Sequence, residues 1–436
     1  MLGNRLTRGA FERSLEASGR LPDCGEPVAA IVLASAFALQ VVDDVLDGND
    51  LNTDSPARAG WLAAGAVGCV AESVAALPLS ETQSRAILRA VAQSIGCIAT
   101  MQEQNAPRRA ERGERCAEWI ARIASGDDSI QPPFANVEMP PLFAEMREKV
   151  ARSSPSAFCE WARDAADAFG DAGAARKTFS TLAAVIEGIK IIDDIQDGES
   201  HCVAVDVGEG RALNLALGAL ALALELTSDL PFPEESWRAA TASIGRGIRE
   251  TAIGQDLETG ATGDFAMFWE IVDRKTSPLV ATAFEIGALA AGAAPAHAAA
   301  LTQLAVPFGR LLQIGDDCND ALGPGATDWR TPRLNLLMLY ALSGPRGGEL
   351  DALLQRGHDA EALREAQHWL LRDGALAYAI HAQLTVIATA TETMQRLAIP
   401  NPDPFLRSLE QSRAECELLM SKSGVDADLA ASVARV

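Results

Sequence analysis

Gly188-Ile-Lys-Ile-Ile-Asp193-Asp194-Ile-Gln-Asp197-Gly198 decides how the rest of the chain is read. Apolar residues lead into three aspartates, and no helix breaker intervenes before Gly198. On a helix, Asp193 and Asp197 share one face and Asp194 lies beside them. Three carboxylates on an apolar wall repel one another, so cations must neutralise them. An all-oxygen ligand set favours a hard cation such as Mg2+, usually shared with a substrate phosphate.

The pattern occurs twice more, as Asp43-Asp44-Val-Leu-Asp47 and as Asp316-Asp317-Cys-Asn-Asp320. Each copy follows an apolar segment, Ala36–Val42 in the first case and Leu311–Gly315 in the second. A single copy could be a solvated helix end. Three copies behind apolar segments point to at least two facing one cavity.

The 436 residues are 48% hydrophobic and 5% aromatic, a balance that fits packed helices better than sheets. A formal charge of −22 argues against nucleic acid or an anionic membrane as partner. It leaves room for a phosphorylated substrate, because a bound metal reverses the local sign. The eight cysteines have no metal-binding spacing and read as reduced core thiols. The N-terminus has no signal-peptide pattern, and the apolar runs Pro27–Val42 and Ala212–Leu224 are short for a bilayer. The expectation is a soluble cytoplasmic protein with no integral membrane segment.

Helical periodicity dominates, with no sustained period-two alternation, so the fold class is all-α. The Pro-rich stretch Ser125–Pro141 reads as a linker or ordered loop. It divides an N-terminal helical extension, residues 1–124, from a main helical domain, residues 142–436. There is also an internal echo. Asp206 and Arg211 follow Asp193 at 13 and 18, Asp328 and Arg333 follow Asp316 at 12 and 17, and Asp54 and Arg58 follow Asp43 at 11 and 15. These offsets suggest a duplicated multi-helix half whose carboxylates would face each other.

Between the second and third aspartate motifs lie Gly254-Gln255-Asp256-Leu257-Glu258, then Asp273-Arg274-Lys275-Thr276-Ser277-Pro278-Leu279, and then Phe308-Gly-Arg-Leu-Leu-Gln313-Ile-Gly. In this order and spacing the chain resembles the trans-polyprenyl diphosphate synthase family, over roughly residues 147–342. The resemblance implies the isoprenoid synthase helical bundle with an N-terminal helical extension. It implies that Asp193, Asp194 and Asp197, together with Asp316, Asp317 and Asp320, hold Mg2+ against an allylic prenyl diphosphate. Lys275 would contact that diphosphate, Gln255 and Thr276 would line the cavity near the reacting carbons, and Arg333 stands where the family usually has a lysine. Family members are commonly dimeric, which implies a homodimer.

Two registers compete. Pairing Asp43 with Asp193 would place Met101–Gln104 and Arg152–Pro155 in the roles of Gln255 and Lys275–Pro278. Pairing Asp193 with Asp316 keeps complete intermediate motifs and is preferred, leaving Asp43–Asp47 as a degenerate copy.

The chain departs from the family at the site for a second diphosphate. Of the basic segment that cradles isopentenyl diphosphate, only Arg152 remains, and no Arg-Arg pair follows Asp197. This loss favours a one-substrate terpene synthase derived from an elongase, with Phe158, Trp161, Phe179, Trp269, Phe284 and Phe308 as candidate pocket aromatics. The first alternative is a polyprenyl diphosphate synthase using Lys149, Arg152, Arg176 and Lys177 as a replacement cradle. The second is a non-catalytic partner subunit. Gly188 and Ile189, just before the first motif, leave room for a longer substrate.

Overall fold

The structure is a computed structural model. It describes residues 55–99, 141–152, 156–198, 203–259, 263–323, 335–356 and 360–423, with isolated positions between 31 and 41 and at 119 and 122. Among these the regular structure is entirely helical. Helices α1 (Pro56–Ala75), α2 (Glu81–Ala99), α3 (Pro141–Arg152) and α4 (Ala157–Ala168) come first. A 3-10 turn (Ala172–Thr178) leads into α5 (Phe179–Asp197), followed by α6 (Val203–Val207), α7 (Glu209–Ser228) and α8 (Glu234–Thr259). Then come α9 (Phe265–Lys275), α10 (Ser277–Ala290), α11 (Pro295–Ala300) and α12 (Thr302–Leu322). The chain finishes with α13 (Leu336–Ser343), α14 (Gly347–Leu354), α15 (Ala360–Arg372), α16 (Ala375–Leu397) and α17 (Asp403–Ser423).

The expected division between an extension and a main domain does not divide the core. One cluster of buried side chains runs from Trp61, Val67 and Ile87 through Ile192, Leu220 and Ile244 to Phe284 and Phe405. Helix α1 packs along α8, and α2 packs along α7. The reason is composition: α1 is mostly Ala, Gly and Val, and a small-residue helix allows close approach. An added Cβ on Gly60 would lie 2.7 Å from Leu213 of α7 and 2.9 Å from Ile192 of α5. Of the expected linker 125–141, Pro141 opens α3 and residues 125–140 lie outside the described residues, as does the Asp43–Asp47 motif.

Helix α7 is long and apolar enough to cross a membrane by length and composition. It is instead surrounded by α1, α2 and α5, which explains why Ala212–Leu224 has almost no polar face. Gly188 serves this packing too. A Cβ there would lie 2.7 Å from the Leu220 side chain and 3.0 Å from the Ala216 carbonyl. The space at Gly188 is therefore taken by α7, and the hint of room for a longer substrate does not stand at this position.

A second apolar cluster joins α9, α12, α13, α15 and α16 through Phe268, Ile314, Leu336 and Trp369. Leu311 of α12 packs against both clusters. Of the candidate pocket aromatics, Phe158, Trp161, Phe284 and Phe308 pack edge-to-face in the main core, with Phe284 fully buried. Phe179 packs against that core. Trp269 lies under the Arg310 guanidinium, 5.0 Å away.

Candidate active site

The site forms around one corner of the chain. Helix α9 ends at Lys275, and α10 begins at Ser277-Pro278, where proline is pre-set for a first helical turn. Two glycines let other helices grip this corner. A Cβ on Gly254 of α8 would lie 2.6 Å from the Arg274 carbonyl carbon, and one on Gly309 of α12 would lie 2.7 Å from the Ser277 Cα. The Thr251 hydroxyl also donates to the Lys275 carbonyl at 2.9 Å.

Lys275 points from the corner towards α5 and α8. Its Nζ lies 3.0 Å from Glu258 Oε2 and 3.6 Å from Asp193 Oδ1. Burial pulls the ammonium down, but Asp193, Glu258 and Asp197 outweigh it and hold the lysine above its ordinary value. The side chain of Gln255, one residue from Gly254 and 1% exposed, donates its amide to the same Asp193 oxygen. Asp193, Asp197, Gln255, Glu258 and Lys275 thus occupy one pole.

Thr276, the other half of the corner, faces α12. Its hydroxyl donates to Gln313 Oε1 at 3.1 Å, and Gln313 Nε2 donates to Asp317 Oδ1 at 2.9 Å. Two consecutive residues therefore tie the helix bearing Asp193 to the helix bearing Asp316. The Asp43 motif of the competing register lies outside the described residues.

The aspartates within each motif do different things. Asp194 is buried and accepts from Lys190 Nζ at 2.7 Å, one turn back along α5. Asp317, 2% exposed, accepts the Leu336 amide at 2.7 Å, and its carbonyl accepts from Asn335 at 2.9 Å. Asn335 in turn caps α13 through the Leu337 and Met338 amides. Asp317 thus anchors the start of α13, a use that its place in a repeated motif did not reveal. On the same helix Asp316 is exposed and Asp320 half-buried. Cys318, between them, has its thiol pushed up to about 12 by burial, then by Asp317 and Cys416, so it fills space rather than offering a thiolate.

Further contacts come from the N-terminal helix, where sequence reading assigned none. Trp61 Nε1 donates to Gln196 at 2.6 Å, between Asp193 and Asp197 on α5. Arg58 pairs with Asp256, next to Gln255, at 2.8 Å. Arg152 lies elsewhere, exposed on α3 and paired with Glu148, while Lys149 pairs with Glu187. Arg176 and Lys177 are exposed on the 3-10 turn. Arg333 lies outside the described residues.

Residues 158–369 match the polyprenyl synthetase family. A polyprenyl synthetase from Streptomyces coelicolor A3(2) is similar in structure at 18% identity and a TM-score of 0.52, over 64% of this chain and 96% of that one. The geranylgeranyl pyrophosphate synthetase of the archaeon Geoglobus acetivorans gives 20% identity and 0.52, over 64% and 96%. A geranylgeranyl pyrophosphate synthase from Corynebacterium glutamicum gives 22% and 0.51, over 76% and 98%. No curated protein sequence matches the chain. Motif order, helical fold and family match converge: residues 158–369 match the polyprenyl synthetase family, and the fold is that of the similar synthase structures.

Proposed function

We propose that the protein ionises an allylic prenyl diphosphate at the Asp193–Lys275 pole and passes the prenyl group to isopentenyl diphosphate, lengthening the chain. The observation that carries the first half is the half-buried Lys275, held beside Asp193 and Asp197 and one residue from the link to the second aspartate helix. The second half is supported by the family match and by the similar structures, which are named as polyprenyl or geranylgeranyl synthases. The Corynebacterium glutamicum enzyme is also known in complex with isoprenyl diphosphate and magnesium.

The donors suit a hard divalent cation. Asp193 and Asp197 on α5 and Asp316 and Asp320 on α12 are the carboxylates that would hold Mg2+, each pair four residues apart on its helix. Among the described residues no three acidic, cysteine or histidine side chains converge tightly enough to hold a metal by themselves. That fits a cation completed by substrate phosphate oxygens. When bound, Mg2+ supplies charge neutralisation for the departing pyrophosphate. Asp194 and Asp317 take positioning roles instead, through Lys190 and the start of α13.

The remaining chemistry falls to the chain's own side chains. As the allylic C–O bond breaks, its electron pair leaves with pyrophosphate, and the Lys275 ammonium is the fixed positive group beside that oxygen. Glu258 and Gln255 orient Lys275 and Asp193 before substrate arrives. The π electrons of the acceptor alkene then form the new C–C bond, and a proton passes from the acceptor to the released pyrophosphate.

A second reading, a single-substrate terpene synthase, rests on the missing basic cradle, because Lys149 and Arg152 are already engaged by Glu187 and Glu148. The packing of Phe284, Phe308, Phe158 and Trp161 into the core weakens it, since these rings are then not spare to stabilise a cyclising cation. Purified protein with Mg2+ and geranyl, farnesyl or geranylgeranyl diphosphate, each with and without isopentenyl diphosphate, separates the readings. Longer diphosphates formed only with both substrates are expected. Hydrocarbons or alcohols from one substrate would overturn elongation in favour of the synthase. No product in any mixture would overturn both.

A further inference from the structure

The loops that end α1 and α7 are each gripped by one arginine of the opposite helix pair. Arg85 of α2 donates to the carbonyls of Ser228 (2.9 Å), Leu230 (2.8 Å) and Phe232 (2.9 Å). Arg238 of α8 donates to those of Ala75 (3.1 Å), Leu77 (3.1 Å) and Leu79 (2.6 Å). The two arginines are 153 positions apart, the difference between 238 and 85. The same offset carries Ala75, Leu77 and Leu79 onto Ser228, Leu230 and Phe232, and the bounds of α1 onto those of α7. Each arginine is also held by a glutamate one turn earlier, Arg85 by Glu81 at 2.8 Å and Arg238 by Glu234 at 3.0 Å. Even the exception obeys the offset: Arg85 stacks on Trp237 at 4.7 Å, while Arg238 donates to Ser84 at 3.4 Å, and Ser84 and Trp237 are themselves 153 apart.

When residue i touches j, and the equivalent of i touches the equivalent of j, the contact is isologous, the geometry of a two-fold dimer. Its most intimate point joins α1 to α8. A Cβ on Gly68 would lie 2.5 Å from the Gly245 carbonyl oxygen, and one on Gly245 would lie 2.6 Å from that of Gly68.

We propose that α1–α2 is an internal copy of α7–α8, and that the two pairs form within one chain the interface that two chains of a symmetric dimer would form. The occupant of this face is the chain's own N-terminal segment, so the face is closed to a second copy. The homodimer implied by family resemblance does not form here. The aspartate offsets suggested halves whose carboxylates would face each other, whereas these copies lie 153 positions apart and meet through helix backs and arginine clamps. The built-in partner also reaches the active site, through Trp61 to Gln196 and Arg58 to Asp256.

The test uses a disulfide across the interface. A Cβ on Gly65 would lie 3.7 Å from the Ala252 Cβ, inside the ~3.5–4.5 Å range a disulfide needs. The full-length Gly65→Cys/Ala252→Cys protein is oxidised and run denatured without reductant, beside each single variant. The expected product is an internally crosslinked single chain of 45.9 kDa, seen only in the double variant. A covalent two-chain product would mean the partner comes from another molecule and would overturn the proposal, as would no crosslink in a folded double variant. A second measurement guards against misfolding. The thermal midpoint of the unmodified protein should not depend on protein concentration, and a midpoint rising with concentration would overturn closure within one chain.

Discussion

Replacing Lys275 by methionine is the sharpest perturbation of the site, because two effects separate cleanly. At an effective dielectric of about 20, each carboxylate at 3.0 and 3.6 Å attracts the ammonium by about 5 kcal/mol before desolvation. Desolvation consumes most of that gain. What a variant measures is the cost of leaving a carboxylate behind, about 3–5 kcal/mol when it is buried. Glu258 has a side chain only 9% exposed and bears that cost, whereas Asp193, at 31%, can recover part of its hydration. Lys275→Met should therefore lower the melting point by roughly 3–5 °C. Adding Glu258→Gln removes the stranded charge and should restore most of the loss. Turnover should behave differently. Losing a preorganised cation beside the leaving pyrophosphate should lower kcat by about 10²–10³-fold in both variants. Calorimetry and steady-state assays with an allylic diphosphate and Mg2+ read the two effects. If the double variant regains turnover along with stability, Lys275 is merely the counter-ion of Glu258 and the proposed role fails.

Asp316→Ala should abolish turnover with little change in stability. Asp317→Ala should instead destabilise by about 1–3 kcal/mol by orphaning the Leu336 amide, and denaturant melts of the two variants distinguish them. Gly254→Ala must push the Lys275 corner by several tenths of an ångström, so a folded variant with kcat down by about 10²-fold is expected in the same assay. The raised Lys275 ammonium contributes stability that is fully present below its ordinary value of 10.5 and is lost only as pH rises through its folded value. The melting-point gap between wild type and Lys275→Met should accordingly stay constant from about pH 6 to pH 9. Asp164 is also raised, but there the charged form is the disfavoured one. Burial, opposed by Ser408 and nearby arginines, raises its carboxyl, so its ionisation costs stability at neutral pH. Asp164→Asn should melt slightly higher near pH 7, and the gain should vanish below its ordinary value of 3.8.

The helical class, the polar face shared by Asp193 and Asp197, and the order Gln255, Lys275, Asp316 were readable along the chain because helix periodicity and motif spacing are local properties. So was the 150-residue repeat of the aspartate motif, a matter of counting along the sequence. Tertiary structure decided what depends on which surfaces meet. A carboxylate in a repeated motif looks the same whether it faces a cavity or caps the next helix, and only the fold of α13 onto α12 separated Asp317 from Asp316. Gly188 looked like room for substrate until α7 filled it. The N-terminal segment looked like an appendage behind a Pro-rich linker. Yet sequence distance says nothing about burial, and Arg85 and Arg238, 153 residues apart, bind α1–α2 into the core beside the site.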